Sequence, residues 1–181
     1  MNIITQQRIE ERNKYFINNN ALTFAIGKNQ NIIATHLVKL GFPLLRKHKV
    51  ATPLHVAVRF NNPESVKLIL EQASKQNQLD AVLSAVDENG YTPLHTAAVD
   101  GYNDHVKTLL KAGANIDSKD NDGKTPLDLA IDNGREETIK TLCQSCNIAT
   151  SSEPKPTYLE LYNNAEKNLA KKGLDFYQSK Q

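Results

Sequence analysis

Three observations predict an all-α fold built from about four helix-turn-helix units in tandem. Residues 87–119 read as one complete unit. The threonine-proline-leucine start of that unit recurs 33 residues later and 40 residues earlier, and its second apolar stripe recurs in the same register.

In the complete unit, Asp87-Glu88-Asn89-Gly90 places an acid at the first and a glycine at the fourth position of a type I turn. Thr92 follows as N-cap with Pro93 at the first helical position, where a missing N–H costs nothing. Leu94, Ala97 and Ala98 then fall at i, i+3, i+4 on one helical face, and the short helix ends at Gly101. Val106, Leu109 and Leu110 repeat that spacing on a second helix, closed by Gly113 in the left-handed region. Isolated helices below roughly 12 to 15 residues are marginal in water, so the unit needs neighbours to cover its stripes.

The neighbours are legible. Thr125-Pro126-Leu127 and Thr52-Pro53-Leu54-His55 repeat the helix start, while Val66, Ile69, Leu70 and Ile139, Leu142, Cys143 repeat the second stripe. Running the register back 32 residues from Thr52 puts Asn20 in the threonine slot. Leu22, Ala25 and Ile26 then form the first stripe, Ile33, Leu37 and Val38 the second, and Gly41 takes the closing position. The period and the T-P-L-H signature resemble the ankyrin-repeat family. That resemblance implies a solenoid of helix-turn-helix repeats with β-hairpin tips, in which His55 and His95 hydrogen-bond between neighbouring repeats.

The expected organisation is an N-terminal capping helix at 1–19, an ankyrin-repeat domain at 20–149, a linker at 150–157 and a C-terminal helical tail at 158–181. Within the domain the repeats span approximately 20–46, 47–86, 87–119 and 120–149. The cap is polar, with Ile9, Phe16 and Ile17 as its apolar edge, as an end unit requires. Gly27-Lys28-Asn29-Gln30-Asn31 marks the inter-helix turn of the first repeat.

The second repeat departs from the pattern. Its tip is Lys47-His48-Lys49-Val50 in place of D-x-x-G, and Asn61, a residue that tolerates the left-handed region, replaces the inter-helix glycine. Seven extra residues lie between about Glu71 and Ala85, where Leu79, Val82 and Leu83 predict a lengthened second helix or an added helical turn. They are either length variation or a binding insert. In the fourth repeat Asp128 replaces the signature histidine. In the tail, Tyr158, Leu161, Tyr162, Ala165 and Leu169 share one helical face. That face either folds back on the last repeat or docks in a partner's groove.

At 39% hydrophobic the chain suits one domain, and its net charge of +2 does not point to nucleic acid or acidic lipid. No apolar run approaches a membrane span, and the start, MNIITQQRIEERN, lacks a signal-peptide core, so a cytoplasmic protein is expected. Cys143 and Cys146 form a C-x-x-C pair, but Cys143 occupies the slot of Leu70 and Leu110, which reads as packing rather than redox or metal chemistry. No catalytic, metal or cofactor motif is present, and none of the five histidines reads as catalytic.

Recognition by surface remains. The family resemblance implies a concave face built from hairpin tips and first-helix edges. Mapped position by position, this face comprises His48, Lys49, Arg59 and Phe60 in the second repeat, and Glu88, Asn89, Tyr91, Val99 and Asp100 in the third. The fourth contributes Asn121, Asp122, Lys124, Asp132 and Asn133. It runs from basic to acidic, with Phe60, Arg59 and Tyr91 as the expected hot spot. The leading expectation is a non-enzymatic adaptor, monomeric on its own, that binds a protein partner. The alternatives are an effector that an intracellular bacterium injects into a host cell, with an export signal near 173–181, and a regulatory or inhibitory subunit of an enzyme.

Overall fold

The structure, a computed structural model, describes residues 21–45 and 51–149. The expected cap at 1–19, the linker and tail at 150–181 and the basic tip around His48 and Lys49 lie outside the described residues. The chain forms two compact units, Met1–Glu88 and Asn89–Gln181. The described part of the first holds α1 (21–27), α2 (Asn31–Lys39), α3 (Pro53–Arg59), α4 (Pro63–Lys75) and α5 (Leu79–Ser84). The second holds α6 (Pro93–Asp100), α7 (Asn103–Lys111), α8 (Pro126–Asp132) and α9 (Glu136–Ala149).

Each fully described first helix begins with the same local chemistry. Thr52, Thr92 and Thr125 sit extended as N-caps, each with proline at the first helical position. The residue three places on, His55, His95 or Asp128, accepts the N-cap's backbone N–H at 3.4, 3.1 and 2.8 Å. This is the reciprocal logic of a capping box, with histidine or aspartate doing what glutamate ordinarily does.

Four short helices also stop in the same way. Nine residues after Thr52, Thr92 and Thr125, and after the matching sequence position 20, Asn61, Gly101, Gly134 and Asn29 all have positive φ, between 49° and 75°. One residue later, the N–H of Gln30, Asn62, Tyr102 or Arg135 reaches back to the carbonyl of Ala25, Ala57, Ala97 or Ala130, at 2.8 to 3.0 Å. That is the long bond of a Schellman turn, and the alanines beneath it are buried. The left-handed residue of the first repeat is Asn29; Gly27, expected within the turn, is instead the last helical residue of α1.

Whether a second helix stops depends on the position that lies 21 residues after Thr52, Thr92 or the matching sequence position 20. Where that position is Gly41 or Gly113, φ is +83° or +98° and the helix stops. Where it is Ala73, buried and helical, α4 runs on by one turn and stops at Asn77, φ 54°. The short helix α5 follows and buries Val82 and Leu83. The seven extra residues of this repeat are therefore both a longer helix and an added one.

The cores follow the stripes. In the first unit Leu22, Ala25, Ile26, Leu54, Ala57, Val58, Val66, Ile69 and Leu70 are buried, with α4 packed on α2, α3 and α5. In the second, Leu94, Ala97, Ala98, Val106, Leu109, Ile139, Leu142 and Cys143 are buried. There α6 packs on α8 and α7 on α9, so like helices of consecutive repeats face each other. One stripe residue is corrected: Ile33 is 49% exposed, and the buried residue is its neighbour Ala34. Ala34 is the position that matches Val66, Val106 and Ile139 when each is counted from its cap.

No strand is present among the described residues, so the tips there are turns. At Asp120–Gly123 the turn closes through Gly123 N–H to Asp120 C=O at 3.1 Å and Asp120 N–H to Lys124 C=O at 2.9 Å. The Asp120 Oδ1 accepts the N–H of Asp122 and Lys124 at 2.9 and 2.8 Å. Its shape is thus set by one carboxylate and a few backbone bonds, too few rungs for a ladder.

Candidate partner-binding surface

Two of the fourteen expected contact residues, His48 and Lys49, lie outside the described residues. In the first unit, Arg59 ends α3 with its side chain 47% exposed and Nη2 3.7 Å from the buried Oδ2 of Asp87. Phe60, the C-cap of α3, is 60% exposed. Glu88 is exposed.

In the second unit most expected contact residues already have work inside the fold. Asn89 accepts the N–H of Asn121 through its carbonyl at 3.1 Å, joining the tips of consecutive repeats. Tyr91 is half-buried, its ring stacked on that of His95 with centroids 5.8 Å apart and planes 12° from parallel. Val99 accepts Arg135 Nε at 2.8 Å through its carbonyl, and Asp100 is half-buried at the end of α6. Asn133 donates its amide to Leu129 C=O at 2.8 Å. Lys124 Nζ lies 2.7 Å from Asp132 Oδ2, and the Asp132 carboxylate, through this bond and then its charge, holds the lysine above its ordinary pKa. Asn121 and Asp122 are exposed on the tip.

The signature histidine ties this face to the next repeat. His95 is fully buried; its Nδ1 accepts from Thr92, so the ring proton sits on Nε2, which donates to Lys124 C=O at 3.1 Å. One imidazole thus caps its own helix and grips the next repeat. Asp128 reproduces the cap alone, since a carboxylate has no proton to give outward. His36 is exposed and donates Nδ1–H to Ile32 C=O. His105 is buried with burial holding its pKa below the ordinary value, against a smaller opposing effect of Asp104. No cluster of three or more His, Cys, Asp or Glu side chains among the described residues could hold a metal.

Sequence reasoning missed one feature. A groove of about 400 Å³ in the first unit is lined by Thr23, Phe24, Gly27, Lys28, Val56 and Phe60. Phe24 is 59% exposed, and Lys28 Nζ lies 6.0 Å from the centre of its ring. The available signal was a phenylalanine off the Leu22/Ala25/Ile26 stripe, two residues from the first core position.

A family model described as Ankyrin repeats (3 copies) matches residues 72–152, and one described as Ankyrin repeat matches 51–81. Among relatives, NF-kappa-B inhibitor alpha of Rattus norvegicus is 36% identical over 99 residues, 54% of this chain and 31% of its own length. Protein phosphatase 1 regulatory subunit 27 of Mus musculus is 41% identical over 65 residues, 36% of this chain and 38% of its own. Glycerophosphocholine phosphodiesterase gde1 of Schizosaccharomyces pombe is 33% identical over 97 residues, 53% of this chain and 8% of its own. The chain thus spans well under half the length of these relatives. With the shared caps, left-handed turns and paired helices, these matches identify residues 51–152 of the chain as ankyrin repeats.

Proposed function

We propose that the chain is a non-enzymatic protein-interaction module that binds a protein partner through its tips and first-helix edges, stacked as in a solenoid within each unit. One observation carries this reading: a 60% exposed phenylalanine, Phe60, follows an arginine at the end of α3. Aromatic and arginine side chains dominate interface energies. Tyr91, stacked on His95, is a support of the fold as much as a contact.

The test is affinity capture from a cell extract with the intact chain beside Phe60→Ala. The expected result is a protein held by the intact chain and lost by the variant, with thermal unfolding unchanged. Equal capture by both overturns the role of α3.

A narrower reading, a regulatory or inhibitory subunit, is favoured by two of the relatives, which are named as an inhibitor and a regulatory subunit. It expects the captured partner to be an enzyme or factor whose activity falls when the chain binds. We place the working protein in a cytoplasm as a monomer. Injection into a host cell by an intracellular bacterium is the version of this reading that removal of residues 173–181 tests: translocation that survives the truncation overturns a terminal export signal.

A further inference from the structure

We propose that the groove between Phe24 and Phe60 is the anchor site for the partner, and that its occupant is a peptide segment carrying one large apolar side chain next to a carboxylate. This rests on the protein-binding reading and names the partner's chemistry.

Both aromatic walls are more than half exposed, although each belongs to a first helix whose opposite stripe is fully buried. Isolated exposed apolar residues are ordinary; here two phenylalanines line one groove and offer an apolar side chain two aromatic walls. Gly27 keeps the space beside the Phe60 ring clear of any side chain. A Cβ there would meet the Phe60 ring at 3.4 Å, and nothing in the backbone calls for glycine, since its φ is not positive. Val56, half-buried, adds an apolar surface. The groove, about 400 Å³, is open to solvent along its length, so it suits a side chain laid along a surface rather than an enclosed ligand.

Charge selects the neighbour of that apolar group. The lining has one cation, Lys28, and no anion. Among the described residues Lys28 forms no ion pair and lies over the Phe24 ring, whereas nearby Arg59 is already beside Asp87. A carboxylate adjacent to the buried apolar group completes Lys28 at the rim, where a basic residue would be repelled.

The experiment selects phage-displayed random peptides on the full chain, then measures binding of the consensus peptide by fluorescence polarisation. The expected consensus is a leucine or aromatic residue beside Asp or Glu. Gly27→Leu, which fills the groove within a helix, and Phe24→Ser are expected to weaken it at least about tenfold, the scale of a lost anchor. Lys28→Glu is expected to shift the selected flank from acidic to basic, and circular dichroism checks that each variant folds. A consensus without the apolar-acidic pair, binding indifferent to Gly27→Leu, or no selected peptide overturns the proposal. If a protein captured by the intact chain is held equally by Gly27→Leu, the groove fails while the protein-binding reading stands. If the peptides select as expected and no protein is captured, the reverse holds.

Discussion

The two units share one register and join their repeats with different chemistry. In the first, side-chain amides form the joint. Asn62, 3% exposed, donates to Asn29 Oδ1 at 3.0 Å and Asn31 Oδ1 at 2.8 Å, and its own oxygen caps α4 through Ser65 N–H at 3.0 Å. Asn31 in turn donates to Glu64. In the second unit the joint is made to backbone: His95 to Lys124 C=O, Asn121 N–H to Asn89 C=O, and Arg135 Nε to Val99 C=O. There the starts of α7 and α9 leave Asn103 Oδ1, His105 Nε2 and Thr138 Oγ1 buried without a hydrogen-bond partner among the described residues. The difference teaches that the repeat fixes where apolar groups go and leaves open how the polar ones are satisfied. An amide network pairs what it buries, and a backbone joint spares side chains but strands a few polar atoms.

The comparison can be broken first where both units should behave alike. Ile69→Ala in the first and Leu109→Ala in the second remove fully buried groups at the same position of the repeat. Each is expected to cost about 2–5 kcal/mol in urea unfolding. A cost near zero for either would show that its unit is not packed as described.

Next comes the tip of the second unit. Gly90→Ala puts a Cβ 2.6 Å from the backbone nitrogen of Asn121 at a φ of +78°, and is expected to cost about 2–3 kcal/mol. Gly123→Ala has the same φ and nothing within 4 Å, so its cost should be the smaller of the two, isolating the contact from the dihedral.

The polar joints are separated by a pair of variants of opposite sign. Asn62→Ala strips the first unit of a cap and two amide bonds, and is expected to lose about 1–3 kcal/mol. Thr138→Val deletes a buried hydroxyl that bonds nothing, and is expected to leave stability equal or raise it by about 1 kcal/mol. Destabilisation of more than that amount by Thr138→Val would mean that the hydroxyl is satisfied.

The smallest effect is set by pH. Burial lowers the pKa of His105 in the folded chain, so between the folded and unfolded values the unfolded chain binds the extra proton. Stability from this group is therefore present above about pH 6.5 and is lost as pH falls below it. Its share of the slope is at most about 1.4 kcal/mol per pH unit, and His105→Leu should flatten the pH dependence by that share. Ser65 holds the matching position in the first unit and does not titrate.

Helix starts and stops were legible in the sequence because they are local: a threonine, a proline and a glycine or asparagine each act within a few residues. Ala34 escaped because it is scarcely apolar enough to stand out beside Ile32 and Ile33, both of which point outward at 78% and 49% exposure. For the candidate surface, Phe60 was legible as an aromatic just past a helix end. The stack of Tyr91 on His95 was not legible, since nothing in its sequence neighbourhood announces it. Phe24 and Lys28 were missed because the first repeat lacks the T-P-L-H signature from which contact positions were counted; the groove they line is a tertiary fact, made by a glycine on one helix and an aromatic on another.

The residue 21 places past each cap acts as a length setting for the outer helix. Glycine there closes it, while Ala73 lets α4 grow by a turn before α5 begins. An array that absorbs seven residues at this point has a natural splice position at Gln76-Asn77-Gln78, a turn that is exposed over its first two residues and ends on one bond to Ala73. A fluorescent reporter or epitope inserted there would sit on an exposed turn between α4 and α5, giving a label for following the protein in cells.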